Sequence, residues 1–443
     1  MKKKKILALA LSAALALGSL AGCGGQKDND SQKSADDGSI EFWTFVEMHG
    51  TFYENMAEKW NKEHPDKQIK LNVNVMPFDD MHNKLQIALN SGTGTPDFVD
   101  IELSKFANFT QGTPALMDLT EVAEPYTSTG NIVQSRLDIY SNNDKLYGIP
   151  THVGATVAFY NTELLEAAGI DYTTIKTWDD FKEAGSKYYE ATGKYLGTID
   201  TSALWIPNLI MAELGSDYVT ADGKVDVNNK DLQKTMEIIK DLQEANAVQT
   251  MPGGQPDKEE AYGVINSGEY ACVIMPIWYM SRYTNYMPEL SGKIAIAPAP
   301  VLDENSEVKS VGGGGTGTAV VADKPNADLI AEFVAYAKLS DEGAAEVWNL
   351  LGFDPCNRAV WSDETITNNP DNEYIKYFKN NPFDVLKSIE DGIAGIESQS
   401  TTIYPSINNT LTTVTLNDIF ENDVDIKTAL DQAQQDLKNE LGQ

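Results

Sequence analysis

From residue 40 onwards, short runs in which apolar and polar residues alternate are separated by longer stretches with apolar residues three or four positions apart. The first pattern is typical of strands and the second of amphipathic helices. Strands are predicted at residues 40–45, 69–75, 98–101, 157–160, 271–275, 294–297 and 318–321. Because strands and helices alternate along the chain, the pattern predicts an α/β fold with a mainly parallel sheet covered by helices.

The helix predictions depend on N-terminal capping signals and on apolar stripes. Thr51 and Glu54 have the spacing of a capping box, and Thr177 is the expected N-cap of a second helix. Apolar stripes predict further helices at residues 81–91, 232–242, 329–336 and 426–437. Trp60 and Trp178 stand on such helical stripes, so both are expected in the core.

The first 23 residues carry the signals of an exported lipoprotein. Residues 2–5 are lysines, residues 6–20 form an apolar run, and Leu20-Ala21-Gly22-Cys23 resembles the bacterial lipobox. The run is too short, and wrongly flanked, for a membrane-spanning helix. We predict a signal peptide at residues 1–22 and a flexible tether at residues 23–38, with acylated Cys23 anchoring an extracytoplasmic protein to the membrane. An ordinary signal peptide with a chance cysteine is the alternative.

The 443-residue chain is strongly acidic, with 66 Asp and Glu against 34 Lys and Arg and a formal net charge of −32. A body of that charge is repelled by phosphate backbones and by anionic lipid, which argues against nucleic acid as a partner. Hydrophobic residues make up 42% of the chain, enough for a globular core, so a disordered chain is excluded. The acidity is compatible with a neutral ligand.

The sequence gives no supported motif for catalysis, metal binding or nucleotide binding. The four histidines lack zinc-ligand spacing, and there is no Gly-x-Ser-x-Gly nucleophile elbow. Residues 312–317 match Gly-x-Gly-x-x-Gly, but a strand follows where a dinucleotide site needs a helix N-terminus. We therefore expect no enzyme activity, no metal and no cofactor. Cys272 is expected to be a buried free thiol, and a disulfide with Cys356 is the alternative.

Several aromatic residues stand beside chain-breaking and polar residues instead of in the middle of apolar stripes. Sugar rings present C–H groups that lie flat on aromatic rings, and their hydroxyls bond to carboxylate, amide, imidazole and guanidinium groups. The core is the alternative location for each aromatic residue. The aromatic residues predicted to contact a ligand are Trp43, Trp205, Trp278, Tyr279 and Tyr404.

A series of short motifs follows the lipobox in a fixed order. They lie at residues 42–45, 91–97, 146–150, 159–161, 177–181, 268–271, 275–278 and 311–321. In this order the motifs resemble those of the extracellular solute-binding proteins of family 1, which are sugar-binding lipoproteins of ATP-driven (ABC) importers. The sequence Phe-Trp-Thr-Phe at residues 42–45, followed by Glu47, Met48 and His49, is most similar to the arabinose and arabino-oligosaccharide branch.

The resemblance implies a two-lobed, periplasmic-binding-protein-like α/β fold of type II, with the ligand in the cleft and hinge crossings between the lobes. The crossings are expected near residues 151–155, 311–315 and 357–363. The implied N-lobe comprises residues 39–150 plus 316–358, and the implied C-lobe comprises residues 151–315 plus 359–443. A monomer is expected.

The aromatic residues named above and the resemblance together give the residues expected to bind the ligand. The complete predicted set is Trp43, Glu47, His49, Glu102, Ser104, Trp205, Trp278, Tyr279, Gly313, Gly314, Arg358 and Tyr404. The protein is expected to capture a neutral oligosaccharide, with an arabinose-containing one as the first candidate, and to deliver it to the transmembrane subunits of an ABC permease. A secreted glycoside hydrolase and a glycan-binding adhesin are the alternatives.

Overall fold

Two main β-sheets organise residues 38–443, the part of the chain that the computed structural model describes. The strands are β1 Ile40–Thr44, β2 Leu71–Val75, β3 Phe98–Glu102, β4 Ser141–Asn142, β5 Lys145–Leu146, β6 Ile149–Pro150, β7 Thr156–Asn161, β8 Gly197–Ile199, β9 Val248–Thr250, β10 Cys272–Pro276, β11 Ile294–Pro298, β12 Ser310–Val311, β13 Thr316–Val320 and β14 Ile393–Ala394. The predicted signal peptide, Cys23 and the predicted tether before residue 38 lie outside the described residues.

Helices cover these sheets and connect their strands. The α-helices are α1 Glu47–Glu63, α2 Phe78–Ser91, α3 Leu103–Phe106, α4 Thr120–Thr127, α5 Gln134–Ile139, α6 Thr162–Ala167, α7 Trp178–Thr192, α8 Trp205–Glu213, α9 Lys230–Glu244, α10 Glu259–Asn266, α11 Met280–Tyr286, α12 Ala327–Leu339, α13 Asp341–Glu346, α14 Glu364–Thr367, α15 Glu373–Tyr377, α16 Pro382–Ile389, α17 Tyr404–Thr410, α18 Leu416–Phe420 and α19 Ile426–Leu441. The π-helical segments Val347–Leu351 and Leu411–Thr415 extend α13 and α17.

The first sheet has the strand order β2-β1-β3-β13-β6. The strand β1 pairs in parallel with β2 and with β3, and α1 and α2 provide the crossover connections that parallel strands need. The late strand β13 inserts antiparallel between β3 and β6, so a segment from far along the chain completes this sheet. We call the part of the molecule built on it the first lobe.

The second sheet, with the order β10-β7-β11, is antiparallel throughout. The prediction of mainly parallel pairing is therefore wrong here, although it holds around β1. Apolar patterns identify the strand residues, but they do not specify the direction in which a strand enters a sheet. The parallel pair β8–β9 lies beside this sheet, because the backbone N–H groups of Ala271 and Cys272 both bond to the carbonyl of Leu196. We call this part the second lobe.

The chain passes from the first sheet to the second between β6 and β7, and it returns to the first sheet at β13, after β12 has paired with β14. Residues 151–155, expected as one crossing, lie between β6 and β7, and residues 312–315 of the second expected crossing lie between β12 and β13. The lobe boundaries that the resemblance implies, including the one after residue 358, stay predictions.

Two helix starts test the capping signals. Thr177 does form a capping box with Asp180 at the start of α7, as predicted for its N-cap. The prediction that Thr51 caps the first helix is wrong, because α1 begins at Glu47 and carries Thr51 in its second turn. The helix continues through Gly50, where a β-carbon would lie 2.8 Å from a methyl group of Val73 on β2. The glycine thus allows α1 to pack closely on the sheet.

Two tryptophans and two cysteines with sequence-based expectations are buried. Trp60 and Trp178 are each 4% exposed, which confirms their predicted place in the core. Cys272 and Cys356 are buried free thiols.

Within residues 38–443, none of the helices has the length and apolar character that would be needed to cross a membrane.

Candidate ligand-binding site

A cavity of about 140 Å³ lies where segments of both lobes meet. A single water needs only about 10–15 Å³ of such space, so the cavity can hold a small organic molecule or part of a larger one. Its walls come from the end of β3 with α3, the start of α8, the glycine-rich segment before β13 and the start of α17. The lining residues are Glu102, Leu103, Ser104, Ser202, Ala203, Leu204, Trp205, Asn208, Gln255, Gly314, Gln399, Tyr404 and Asn408.

The first lobe contributes Glu102 and Ser104 to the cavity. Glu102 is the last residue of β3, and its carboxylate accepts hydrogen bonds from the backbone N–H of Ser104 (2.7 Å) and from the Ser104 hydroxyl (2.5 Å). These bonds fix the carboxylate at the carboxyl end of a strand, the edge of an α/β sheet where ligands commonly bind. Burial raises the pKa of Glu102 above its ordinary value, even though both bonds to Ser104 act to lower it.

The second lobe contributes Trp205, the first residue of α8. Its ring meets that of Trp278 edge to face, with centroids 5.7 Å apart, and Trp278 in turn donates from Nε1 to the carbonyl of Gly313 at 3.0 Å. Gly314 has φ = +65°, and a β-carbon there would lie 3.2 Å from Trp278 Nε1. The glycine-rich crossing and Trp278 therefore position Trp205, whereas Trp278 itself is outside the cavity wall.

Tyr404, the first residue of α17, forms another wall and is 2% exposed. Its hydroxyl accepts a long hydrogen bond from Gln399 Nε2 (3.4 Å), and Trp205 Nε1 donates a similarly long one to Gln255 (3.4 Å). Bonds of this length are weak, so these groups can exchange partners at little cost. The cavity thus combines two aromatic rings with several amide side chains.

Two polar atoms on the cavity wall have no hydrogen-bond partner among the described residues: Ser202 Oγ and Gln399 Oε1. Nearly all buried polar atoms in proteins are paired, and leaving one unpaired costs about 1–3 kcal/mol. A ligand that brings its own hydroxyl groups would satisfy both atoms.

The crossing segments bring the hinge close to the cavity. Gly313 donates its backbone N–H to the carbonyl of Gly154 at 2.8 Å, so the first two crossings run side by side. Asp354 accepts from the backbone N–H groups of Gly154 (2.9 Å) and Ala155 (2.8 Å). Burial raises the pKa of Asp354 to about 7, against the effect of these two bonds. Buried Arg136 donates to the carbonyl of Gly314, which lines the cavity.

The structure brings Glu102, Ser104, Trp205, Gly314 and Tyr404 together at the cavity. It does not place the other predicted residues on the cavity wall: Trp43, Glu47, His49, Trp278, Tyr279, Gly313 and Arg358.

Three of the residues that lie off the cavity wall have hydrogen-bond partners inside the protein. Trp43 is 1% exposed, and its Nε1 donates to the carboxylate of Glu41 at 2.7 Å. His49 bonds to Asp100 at 2.8 Å, and the hydroxyl of Tyr279 donates to the carbonyl of Pro256 at 2.9 Å. Arg358 is half-buried and starts the 3₁₀ helix Arg358–Ser362, and Glu47 is exposed at the start of α1.

Sequence reasoning missed the amide and hydroxyl residues of the wall: Ser202, Asn208, Gln255, Gln399 and Asn408. Their distance from one another along the chain explains this, because only the tertiary fold brings them together. One signal was present. Asn408 follows Tyr404 by four residues, and residues at this spacing share a face of a helix.

A wider depression of about 440 Å³ lies on the first lobe, between α4, α5 and the β4–β5 hairpin. None of its lining residues is aromatic, and it is open to solvent. The smaller cavity is therefore the better candidate site, because binding sites combine enclosure with convergent aromatic and polar groups. In residues 38–443 no group of three or more His, Cys, Asp or Glu side chains is arranged to hold a metal ion.

The sequence and the structure of this chain are similar to those of known proteins. The chain is 41% identical over 396 residues to an arabinooligosaccharide-binding protein of Bacillus subtilis, covering 89% of each chain. It is 38% identical to an arabinooligosaccharide-binding protein of Halalkalibacterium halodurans, covering 91% of this chain and 89% of that protein. The galacto-N-biose/lacto-N-biose I-binding protein of Bifidobacterium longum, solved with lacto-N-biose, superposes with a TM-score of 0.71 at 21% identity, covering 91% of this chain and 98% of that structure.

The structural similarity shows the two-lobed α/β fold of sugar-binding proteins, as predicted. Residues 46–344, more than half of the chain, match the family model described as bacterial extracellular solute-binding protein. The chain is therefore a member of the bacterial extracellular solute-binding protein family.

Proposed function

We propose that the protein binds a neutral, arabinose-containing oligosaccharide in the cavity between its lobes and delivers it to an ABC permease. The observation that carries the proposal is the composition of the cavity wall, which pairs the aromatic side chains of Trp205 and Tyr404 with hydroxyl and amide groups. Aromatic rings suit the C–H faces of sugars, and hydroxyl and amide groups suit their hydroxyls.

The unpaired polar atoms support a hydroxyl-rich ligand. A sugar hydroxyl can donate to Gln399 Oε1 and can exchange a hydrogen bond with Ser202 Oγ, the two wall atoms that lack partners. A purely apolar ligand would leave both atoms desolvated and unpaired. The Glu102 carboxylate adds an acceptor and disfavours an anionic ligand by like-charge repulsion.

Both lobes supply walls of the cavity, which supports closure of the lobes on the ligand. Glu102 and Ser104 follow β3 of the first lobe, whereas Trp205 starts α8, which packs against β10 of the second lobe. A ligand that bridges both walls favours the closed arrangement and shifts the population towards it. In this proposal Glu102, Ser104, Trp205, Gly314 and Tyr404 contact the sugar, and Trp278 positions Trp205.

Two further parts of the proposal rest on the relatives and on the sequence. Two relatives at about 40% identity are named arabinooligosaccharide-binding proteins, which supports arabinose as a component of the ligand. The lipobox supports acylation at Cys23 and anchoring to the outer face of the membrane. Palmitate labelling of the wild type and of a Cys23→Ala variant tests the anchor, and equal labelling of both would refute it.

Binding without catalysis is part of the proposal. Of the described residues that line the cavity, Glu102 alone carries a carboxyl group. Glycoside hydrolysis ordinarily uses two carboxyl groups on either side of the scissile bond. The cavity is therefore better suited to hold a glycan than to cleave it.

Titration calorimetry against arabino-, xylo-, malto- and galacto-oligosaccharides tests the proposal. Binding is expected to be tightest with the arabino-oligosaccharides, and no new reducing ends should form during prolonged incubation. Binding to none of these glycans would refute a sugar ligand. Preference for another glycan would refute the arabinose assignment alone, and the release of reducing ends would favour a hydrolase.

A further inference from the structure

A continuous series of side-chain contacts leads from the cavity to the protein surface. It begins at Trp205 on the cavity wall, whose ring contacts that of Trp278. The guanidinium of Arg282, on α11, lies over the Trp278 ring at 5.3 Å from its centroid. The series therefore leaves the cavity along the second lobe and reaches α11.

Arg282 is held by an ion pair with two contacts. Its Nε donates to Asp257 Oδ1 at 2.7 Å, and its second terminal nitrogen donates to Asp257 Oδ2 at 3.2 Å. The hydroxyl of Tyr262 also donates to Asp257 Oδ1, at 2.6 Å. Both charged side chains keep 23% of their surface exposed, and the other terminal nitrogen of Arg282 donates to the hydroxyl of Ser281 at 3.0 Å.

Tyr286 ends the series on the surface. It stands one helical turn after Arg282 on α11, and its ring stacks on that of Tyr262 with centroids 4.6 Å apart and planes at 4°. Tyr262 covers one face of the Tyr286 ring, and 56% of the Tyr286 surface remains exposed. Few large hydrophobic side chains among the described residues are as exposed as this one.

The end of α11 also faces the first lobe. The amide nitrogen of Asn285 lies 3.9 Å from the sulfur of Met48, in the first turn of α1. Glu47, which is exposed, precedes Met48. The Asn285–Met48 contact places this end of α11 beside the first lobe, and Tyr286 is the last residue of the same helix.

We propose that the Tyr286 ring, with the Asp257–Arg282 ion pair beside it, is an outer subsite that binds a sugar unit of an oligosaccharide whose other end occupies the cavity. This inference rests on the proposed function. An ion pair beside a flat ring offers fixed acceptors and donors to sugar hydroxyls, while the ring receives the C–H face of the sugar. A cavity of about 140 Å³ accommodates only part of an oligosaccharide, so its further units must extend along the cleft.

The subsite predicts that affinity depends on the length of the ligand. A sugar long enough to reach Tyr286 gains contact with the ring, whereas a shorter one gains nothing from it. Truncation of the ring to Ala should therefore weaken binding of the longer arabino-oligosaccharides roughly three- to tenfold, and leave the shortest bound members unchanged. Tyr286→Phe retains the ring and should bind nearly as the wild type.

The experiment is calorimetry of the full exported protein with arabino-oligosaccharides of two to six units. Wild type, Tyr286→Ala, Tyr286→Phe and the control Ile87→Ala are compared, where Ile87 is 69% exposed on α2 of the first lobe. A loss confined to longer ligands in Tyr286→Ala is the expected result.

Two results would overturn the outer subsite: an equal loss at every ligand length, or no loss at any length. In the second case the exposed ring could instead contact a protein partner such as the permease. If the wild type binds no glycan at all, the proposed function fails, and this outcome is distinguishable from failure of the subsite alone.

Discussion

Two buried polar clusters of this protein contain residues predicted to bind the ligand, and they differ in how completely their atoms are paired. In the first lobe, the carboxylate of Asp100 accepts hydrogen bonds from His49 (2.8 Å), Thr44 (3.0 Å) and Thr318 (2.6 Å). At the cavity, Ser202 Oγ and Gln399 Oε1 have no partner within the described part of the chain. The Asp100 carboxylate therefore has all of these partners within the protein, whereas the two cavity atoms have none there.

The charges of the two clusters follow the same division. Burial acts to raise the pKa of Asp100, but His49 and Lys338 outweigh it and hold the pKa below its ordinary value. The carboxylate is therefore charged, and these neighbours stabilise its charge. At Glu102, burial prevails and raises the pKa. A buried polar side chain whose hydrogen-bond partners all lie within the protein is therefore structural. One that lies beside polar atoms without partners is a candidate ligand contact.

The largest expected effect is on stability at Asp100. Asp100→Ala should lower the free energy of unfolding by about 3–5 kcal/mol, because it removes the partner of buried His49 and the negative charge that acts on the buried ammonium of Lys338. Urea denaturation measures this loss. Under conditions where the variant is folded, its affinity for the glycan should match that of the wild type. A large loss of affinity in folded protein would place this cluster in the binding site.

The next effect is on affinity at Trp205. Trp205→Ala should weaken glycan binding by about 1–3 kcal/mol, because the ring lines the cavity and the proposed function has it stack on a sugar. Trp60→Ala is the matched control, since Trp60 lies in the first-lobe core and its loss should lower stability and leave affinity intact. If both variants bind alike, Trp205 has no special role in the site.

Glu213 tests whether an unpaired atom alone marks a ligand site. It ends the same helix that Trp205 begins, its Oε2 accepts from the backbone N–H of Leu302 at 2.6 Å, and its Oε1 has no partner among the described residues. Because Glu213 is not on the cavity wall, we expect its effect to be on stability and not on binding.

The raised pKa of Glu213 predicts how the stability of the protein depends on pH. Burial raises the pKa of Glu213 from 4.5 to about 7, so the folded state holds this proton where the unfolded state has lost it. Stability should therefore fall as the pH rises from about 4.5 to 7 and level off above. Glu213→Gln should reduce this fall by about 1–2 kcal/mol, after allowance for partial exposure. Unchanged slopes in denaturation series at several pH values would contradict the assignment.

The smallest expected effect is at the unpaired hydroxyl. Ser202→Ala should weaken glycan binding by about 0.5–1.5 kcal/mol, the usual contribution of one hydrogen bond, with little loss of stability because no protein partner is left behind. Calorimetry paired with denaturation separates the two quantities. A Ser202→Ala variant that loses stability but not affinity would show that the hydroxyl serves the fold.

Much of the fold could be predicted because local patterns determine it. The capping box at Thr177 and the stripe of α19 depend on neighbours within a few residues. The predicted start of α1 was wrong because the helix runs through Gly50, whose close approach to Val73 is a contact between separate elements that the local pattern does not show. The direction of β10 and β11 beside β7 is likewise a tertiary property.

The site was predictable to a smaller extent. Trp205 and Tyr404 were predicted as ligand contacts because each stands beside chain-breaking or polar residues, and the structure places both on the cavity wall. His49 was predicted from the resemblance, but it bonds to Asp100, and only the fold brings these two residues together. Gln255 and Gln399 carry no local signal, since amide residues are common on any surface.

The most direct test of the account is a crystal structure of the protein with an arabino-oligosaccharide. The account predicts a sugar ring against Trp205, with hydroxyls bonded to Glu102 and to the unpaired oxygen of Gln399. A sugar bound instead in the depression beside the β4–β5 hairpin, or against His49 with the cavity left vacant, would contradict it.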